Sequence, residues 1–237
     1  MMVVADASVT SIPWRPRVLW SPAEIFEGGT QGAWYDPSDL STLFQDNGGT
    51  VPVTADGDPV ALMLDLSGNG NDATQLTAAA RPTWRTDGVL SWLEYDGVDD
   101  LMEIPAIAYA EPLSLCLGLQ RFSSGDYGSF RSPLSTGKYA GLSKSGSGGA
   151  GAINNAGGSA RLNGIPFAGN REALYNALQS ASIGNSDAAL SNPGTFFCYA
   201  NLCPPGKVYC YLEAEGIGIA QIAWAERWTA AKSGVTL

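Results

Sequence analysis

The sequence predicts an all-β fold, an antiparallel β-sandwich of the jelly-roll kind. Three observations predict it. Gly (29) and Pro (14) are abundant among 237 residues, which favours turns and short strands over long helices. Short apolar runs recur at close intervals with turn signals between them. Apolar residues make up 45% of the chain, enough to build a core, and all-β sandwiches of this length form one domain. There is no internal repeat.

Residues 1–31 read as an extended arm, because Pro13, Pro16 and Pro22 exclude a helix over most of it. The arm still carries apolar side chains, Trp14, Val18, Leu19, Trp20, Ile25 and Phe26. It therefore packs on something, either its own domain or a neighbouring subunit. Trp14, Arg15, Arg17 and Trp20 are its candidate docking residues. The domain itself is expected over 32–237. Asp36-Pro37 is a helix-start signal and predicts one or two helical turns over 38–44. "VALMLDL" is a strand candidate after a turn at Asp56-Gly57, and "RPTWRTDGVLSWLEYDGVDDLMEIP" gives two strands around turns at Asp87-Gly88 and Asp96-Gly97. "LSLCLGLQRF" is continuously apolar, a strand buried on both faces or one in a sandwich core. Residues 123–160 are Gly/Ser-rich, yet Tyr127, Phe130, Tyr139, Leu142 and Ile153 recur along them, which predicts short strands and loops rather than a linker. "ARLNGIPF" reads as strand, Asn163-Gly164 turn, strand. "EALYNALQSASIG" suits a helix by propensity over 171–180 and a strand by context. "TFFCYANLC", "KVYCYLEAEG" and "IGIAQIAWAER" read as β-like runs, and "RWTAAKSGVTL" as a short closing helix capped by Gly234.

Composition excludes several functions. The net charge of −10 argues against nucleic acid and against anionic membrane surfaces, since both need clustered Lys and Arg. No window is long and apolar enough to span a bilayer, and the N-terminus lacks a signal-peptide pattern. The expectation is a soluble chain made in a cytoplasm, free to leave it as part of a larger particle. The absence of histidine removes His-based triads and His metal ligands. Cys116, Cys198, Cys203 and Cys210 lack a C-x-x-C spacing, so no zinc site is expected. Cys116 reads as a buried thiol, and a disulfide among the other three is left open.

"GAWYDPSDLSTLFQD", "LDLSGNGNDATQ", "RPTW" and "LEYDGVDD", in this order, resemble the concanavalin A-like lectin/glucanase domains of laminin-G-like type found in bacteriophage virion proteins. The ending "IGIAQIAWAERWTAAKSGVTL" resembles that family's last strand and closing helix, shortened here. The resemblance runs from about Gly32 to the C-terminus, and its specific part is the N-terminal half. It implies a jelly roll of two antiparallel sheets that binds glycan or protein, sometimes with calcium. It also implies a virion location beside other phage virion proteins, and a homo-oligomer, for which a trimer fits viral appendages. The expected role is a non-enzymatic virion structural protein, tail-associated and contacting host surface glycan or protein. The alternative is a capsid decoration protein clamping neighbouring capsomers, with a glycan-degrading enzyme as the third class.

Three constellations bear on those roles. In "DLSGNGNDATQ", Asp65, Asn69, Asn71 and Asp72 offer the hard oxygen ligands that calcium prefers, and Asp99 completes such a site if the fold brings the two loops together. The competing reading is a tight Gly/Asn loop whose Asp65 binds loop N–H groups. "LEYDGVDD" echoes the E-x-D-x-x-E pattern of retaining glucanases, but Asp99 stands where the last Glu belongs and Gly97 breaks the strand. No catalytic residue is assigned. Seven tryptophans supply faces for core, interface or sugar stacking, and Tyr127, Phe130 and Tyr139 are the candidate ligand-binding residues.

Overall fold

The structure, a computed structural model, describes residues 20–122, 127–133, 140–143, 153–154, 159–166, 178–186, 194–196 and 203–237; over 127–133, 140–143, 153–154 and 183–186, and at Gly194 and Phe196, it describes the backbone. In chain order the elements are α1 (Ala23–Phe26), β1 (Gly32–Tyr35), β2 (Leu43–Phe44), β3 (Leu62–Met63), β4 (Ala73–Thr74), β5 (Thr83–Thr86), β6 (Ser91–Tyr95), β7 (Met102–Ile104) and β8 (Leu113–Arg121). Then follow β9 (Tyr127–Pro133), β10 (Ala140–Ser143), β11 (Ile153–Asn154), β12 (Ser159–Leu162), β13 (Ile165–Pro166), β14 (Gln179–Ser186), β15 (Gly194–Phe196), β16 (Gly206–Glu215) and α2 (Ile219–Lys232). The fold is all-β in character, and the described residues form two antiparallel eight-stranded sheets.

The first sheet runs β13-β12-β14-β8-β16-β6-β5, and the second β11-β10-β9-β15-β7-β4-β3-β2. β1 joins the first sheet on the same edge of β16 as β6, pairing with residues 211–214 while β6 pairs with 206–208. Gly32 permits this join: a Cβ there would sit 2.0 Å from the Glu213 carbonyl oxygen. The hydrophobic pattern fixes the layers. On β8, Leu113, Leu115, Leu117 and Leu119 enter a core that also receives Leu43, Met63, Ala73, Met102 and Ile104 from the second sheet. Cys116, on the opposite face of β8, joins a second cluster with Ile222 and Ala225 of α2. The continuous apolar run thus becomes a strand buried on both faces, as its pattern requires. A bulge between Val208 and Cys210 turns both Tyr209 and Cys210 away from the shared core, so Tyr209 packs on Trp92.

Several turns stand where Gly and Asn placed them. Asn163 (φ 48°) and Gly164 (φ 73°) close the β12–β13 hairpin as a two-residue turn of the primed type. Asp87-Gly88 closes β5–β6, and Asp96-Gly97 carries the chain from β6 in the first sheet to β7 in the second. Residues 83–104 accordingly hold three strands rather than two.

Other expectations are corrected. The helix expected over 38–44 is a single 3-10 turn at Leu40–Thr42, after which Leu43 and Phe44 are already strand. Residues 23–26 are not an extended arm but a helical turn with Ile25 and Phe26 buried. The sequence carries its signature: Ser21 Oγ accepts from Ala23 N–H (3.3 Å), and Glu24 reaches back to Ser21 N–H (3.2 Å), with Pro22 between them. The closing helix is longer than expected and begins at Ile219, so "IGIAQIAWAER" is not a strand: β16 ends at Glu215, before it. Its buried side chains, Ile222, Ala225, Glu226, Thr229 and Ala230, recur every three or four residues, the helical period. Gly234 does cap it. Val235 N–H reaches Ala230 O (2.8 Å) and Gly234 N–H reaches Ala231 O (3.4 Å), the Schellman pattern, with Gly234 at φ 70°.

Candidate functional site

The outer face of the first sheet carries α1 and α2, and the two halves of α2 are built differently. Its C-terminal half is pinned. Glu226 is 3% exposed. Its Oε1 accepts from Arg161 Nε (2.6 Å) on β12 and from Ser182 Oγ (2.6 Å) on β14. Thr229 shares a hydroxyl–hydroxyl hydrogen bond with Ser180. Gly118 lets the helix approach β8 closely, since a Cβ there would meet Cys210 Sγ at 2.9 Å and Ser233 Cβ at 3.1 Å. Lys232 ties the helix end to the corner after β1, through Asp36 Oδ2 and Ser38 Oγ, both at 2.6 Å.

The N-terminal half of α2 is open. Ile219 is 84% exposed and Trp224 42% exposed, although both are large apolar side chains. Trp20 lies near-parallel to Trp224, with centroids 6.3 Å apart and an interplanar angle of 20°. Arg227 lies 4.8 Å from the centre of the Trp224 ring. Between α1 and α2 is a groove of about 250 Å³ lined by Trp20, Glu24, Ile25, Ala220, Gln221 and Trp224. Glu24 Oε1 serves the α1 cap and Gln221 Oε1 accepts from Gly218 N–H (3.0 Å), which leaves the other Glu24 oxygen and the Gln221 amide NH₂ facing solvent or a ligand. Beneath the groove, Ile25, Ile222 and Ala225 form the second apolar cluster, with Trp34 and Trp228 edge to face at 5.9 Å. The groove floor is therefore packed, and its walls are aromatic with one acid and one amide at the rim.

No family model, no curated protein and no solved structure matches the chain.

The residues singled out in the sequence fall as follows. Trp20 packs against Trp224 of its own chain, whereas Trp14, Arg15 and Arg17 lie outside the described residues. Tyr127 and Phe130 lie on β9, described there as backbone, and Tyr139 lies outside the described residues. Asp65 is occupied by its own loop. Its Oδ1 accepts from Trp34 N–H and Ser67 N–H, both at 2.9 Å, and its Oδ2 from Asn71 N–H (3.0 Å) and Ser67 Oγ (2.6 Å). Asn69 and Asn71 turn their amide NH₂ groups onto Gly32 O, at 3.1 and 2.8 Å, and Asp72 accepts from Asp65 N–H (2.8 Å). "DLSGNGNDATQ" is thus a staple holding β1 in place. Four donors on one carboxylate leave it little capacity for an ion.

Asp99 belongs to a different group. Among the described residues, Asp96, Asp99 and Asp100 bring carboxylate oxygens within 4.8 Å of one another, and Asp65 is not with them. Asp100 is 5% exposed and accepts from Asp96 N–H at 2.9 Å. Burial, with the charges of Asp96 and Asp99 adding to it, pushes its carboxyl up to about 6. Glu94 faces Lys207 across the strand pair and lies 3.4 Å from Arg85 Nε. Gly97, at φ 81°, ends the strand before Asp99. Cys203 is disulfide-bonded, Cys198 lies outside the described residues, and Cys116 and Cys210 are buried free thiols pushed upward by burial. Among the described residues, no helix is long and apolar enough to cross a membrane.

The groove was missed in the sequence because its two walls lie at opposite ends of the chain. The usable signal was the S-P-A-E cap, which fixes Trp20 at the edge of the domain rather than inside a free arm.

Proposed function

We propose that this chain is a non-enzymatic attachment module of a bacteriophage particle, a concanavalin A-like jelly roll that is tail-associated and contacts host surface glycan or protein. The observation that carries the binding role is the exposed tryptophan groove on a rigid two-sheet scaffold. Large aromatic faces held open on a braced surface bind partners at low entropic cost. The phage assignment rests on the resemblance in the N-terminal half. There the quoted motifs fall on β1 with its 3-10 turn, on the Asp65 staple and on the crossover after β6. The carboxylates nearest to a glucanase pattern support binding over catalysis. Glu94 is held by Arg85 on a strand, and Asp96 and Asp100 shape a turn. Calcium is not needed for this reading.

The isolated protein is expected to attach to host cells and to release no reducing ends from host glycan. Attachment that fails, or reducing-end release that Glu94→Gln abolishes, would overturn it. The second reading, a capsid decoration protein, is favoured by one observation. The first 19 residues carry Arg15, Arg17 and Asp6, a net +1, which leaves −11 on the rest of the chain. A basic arm on an acidic domain suits clamping between like subunits. Stabilisation of shells against heat without cell attachment would select it.

A further inference from the structure

We propose that the Trp20–Trp224 groove is the socket for the proline-rich segment Pro13–Arg17 of a second copy of this chain. The groove has the form that polyproline segments recognise: two near-parallel indole rings 6.3 Å apart over an apolar floor, with an acid at the rim. The segment "PWRPR" has the matching form. Pro13 and Pro16 stand in P-x-x-P spacing, each with φ fixed near −65°, and Arg17 follows directly. A pre-extended segment loses little conformational freedom on docking.

Charge agrees with shape. Arg15 and Arg17 are the basic residues among the first 19, and those 19 carry a net +1 against −11 on the remainder. Glu24, with one oxygen left over from its cap, is the acid placed to receive a guanidinium. Arg227 already lies over the Trp224 ring and Trp20 stacks on it, so the incoming Arg pairs with Glu24 and the prolines pack along the ring edges that line the groove.

Chain length decides between the chain's own arm and a neighbour's. Only Arg17, Val18 and Leu19 separate Pro16 from Trp20, which is itself a wall of the groove. Folding the segment back across that wall needs a reversal within three residues that include no Gly, Asn, Asp or Pro to make it. An arm that leaves its own groove wall extended reaches the groove of the next copy. Because this arrangement is head-to-tail, it closes into a ring or runs on as a filament.

An arm seated in the groove excludes a host ligand from it, so this proposal and the host-attachment reading give one groove two occupants; sedimentation of the purified full chain tests the arm alone. The full chain is expected to associate at roughly 100 μM, a concentration at which weak specific contacts assemble. Arg17→Glu and Glu24→Arg are each expected to weaken association by about tenfold or more, and Trp224→Ala likewise. The double variant Arg17→Glu/Glu24→Arg is expected to recover most of it. A free peptide of residues 11–19 is expected to dissociate the oligomer. A full chain that stays monomeric at that concentration overturns the proposal. So does an oligomer indifferent to Arg17→Glu, a variant outside the folded groove that keeps the test decisive if Trp224→Ala loses its melting transition.

Discussion

The two halves of α2 lie on the same sheet yet solve opposite problems. The C-terminal half buries a charge and satisfies it, with Glu226 held by Arg161 and Ser182 and the helix end closed by Gly234 and Lys232. The N-terminal half leaves Ile219 and Trp224 in solvent over a packed floor. Polar groups are buried where they hold the fold together, and apolar groups are exposed where a partner would cover them. The two Asp-rich loops differ in the same way. Asp65 is saturated by four donors, whereas Asp100 is buried beside Asp96 and Asp99 and resists ionisation.

The largest effect expected is at the pinned end. Glu226→Ala leaves Arg161 and Ser182 without their shared acceptor and should cost about 3 kcal/mol in urea unfolding. A loss near zero would mean that the helix end is held by packing alone.

Asp100→Asn sharpens the contrast between the loops. With its folded value raised to about 6, Asp100 keeps its proton between pH 4 and 6 where the unfolded chain has lost its own. Stability from this group is therefore complete below pH 4 and declines as the pH rises to 6. The Asn variant should lack that decline, gaining on the parent by on the order of 2 kcal/mol above pH 6. Asp46, Asp58 and Asp87 work in the opposite window. Loop N–H donors, from Val51, Thr54 and Leu90 respectively, hold them below the usual carboxylate value, so their contribution is lost only as the pH falls below about 4. A parent and variant with parallel stability–pH curves from 4 to 6 would contradict the burial of Asp100.

Gly234→Ala should cost about 1 kcal/mol, because the cap needs φ 70° and a Cβ would press Leu90 Cδ1 at 3.0 Å. Trp224→Ala should change the thermal midpoint least, by the equivalent of about 0.5 kcal/mol, while removing attachment. If Trp224→Ala destabilised as much as Glu226→Ala, the two halves would not differ in kind.

Much of the fold was legible in the residues. The β8 run, the Asn163-Gly164 hairpin and the turns at Gly57, Gly88 and Gly97 follow from local chemistry that little else satisfies. The Asp65 loop was legible as a pair of alternatives, and only long-range donors such as Trp34 N–H on β1 decide between them. α2 was half legible. Gly234 marked its end, but the alternation in "IGIAQIAWA" mimics a strand, and Glu226 reads as a surface charge until Arg161 and Ser182 are beside it. The groove was not legible, because it exists only where Trp20 and α1 meet the last helix.

The most direct measurement is a cryo-EM map of the assembly that the purified full chain forms. The account predicts density of another chain segment seated against Trp20 and Trp224, with the Glu226 end of α2 on its own sheet. A map in which that groove faces open solvent in every copy would contradict it.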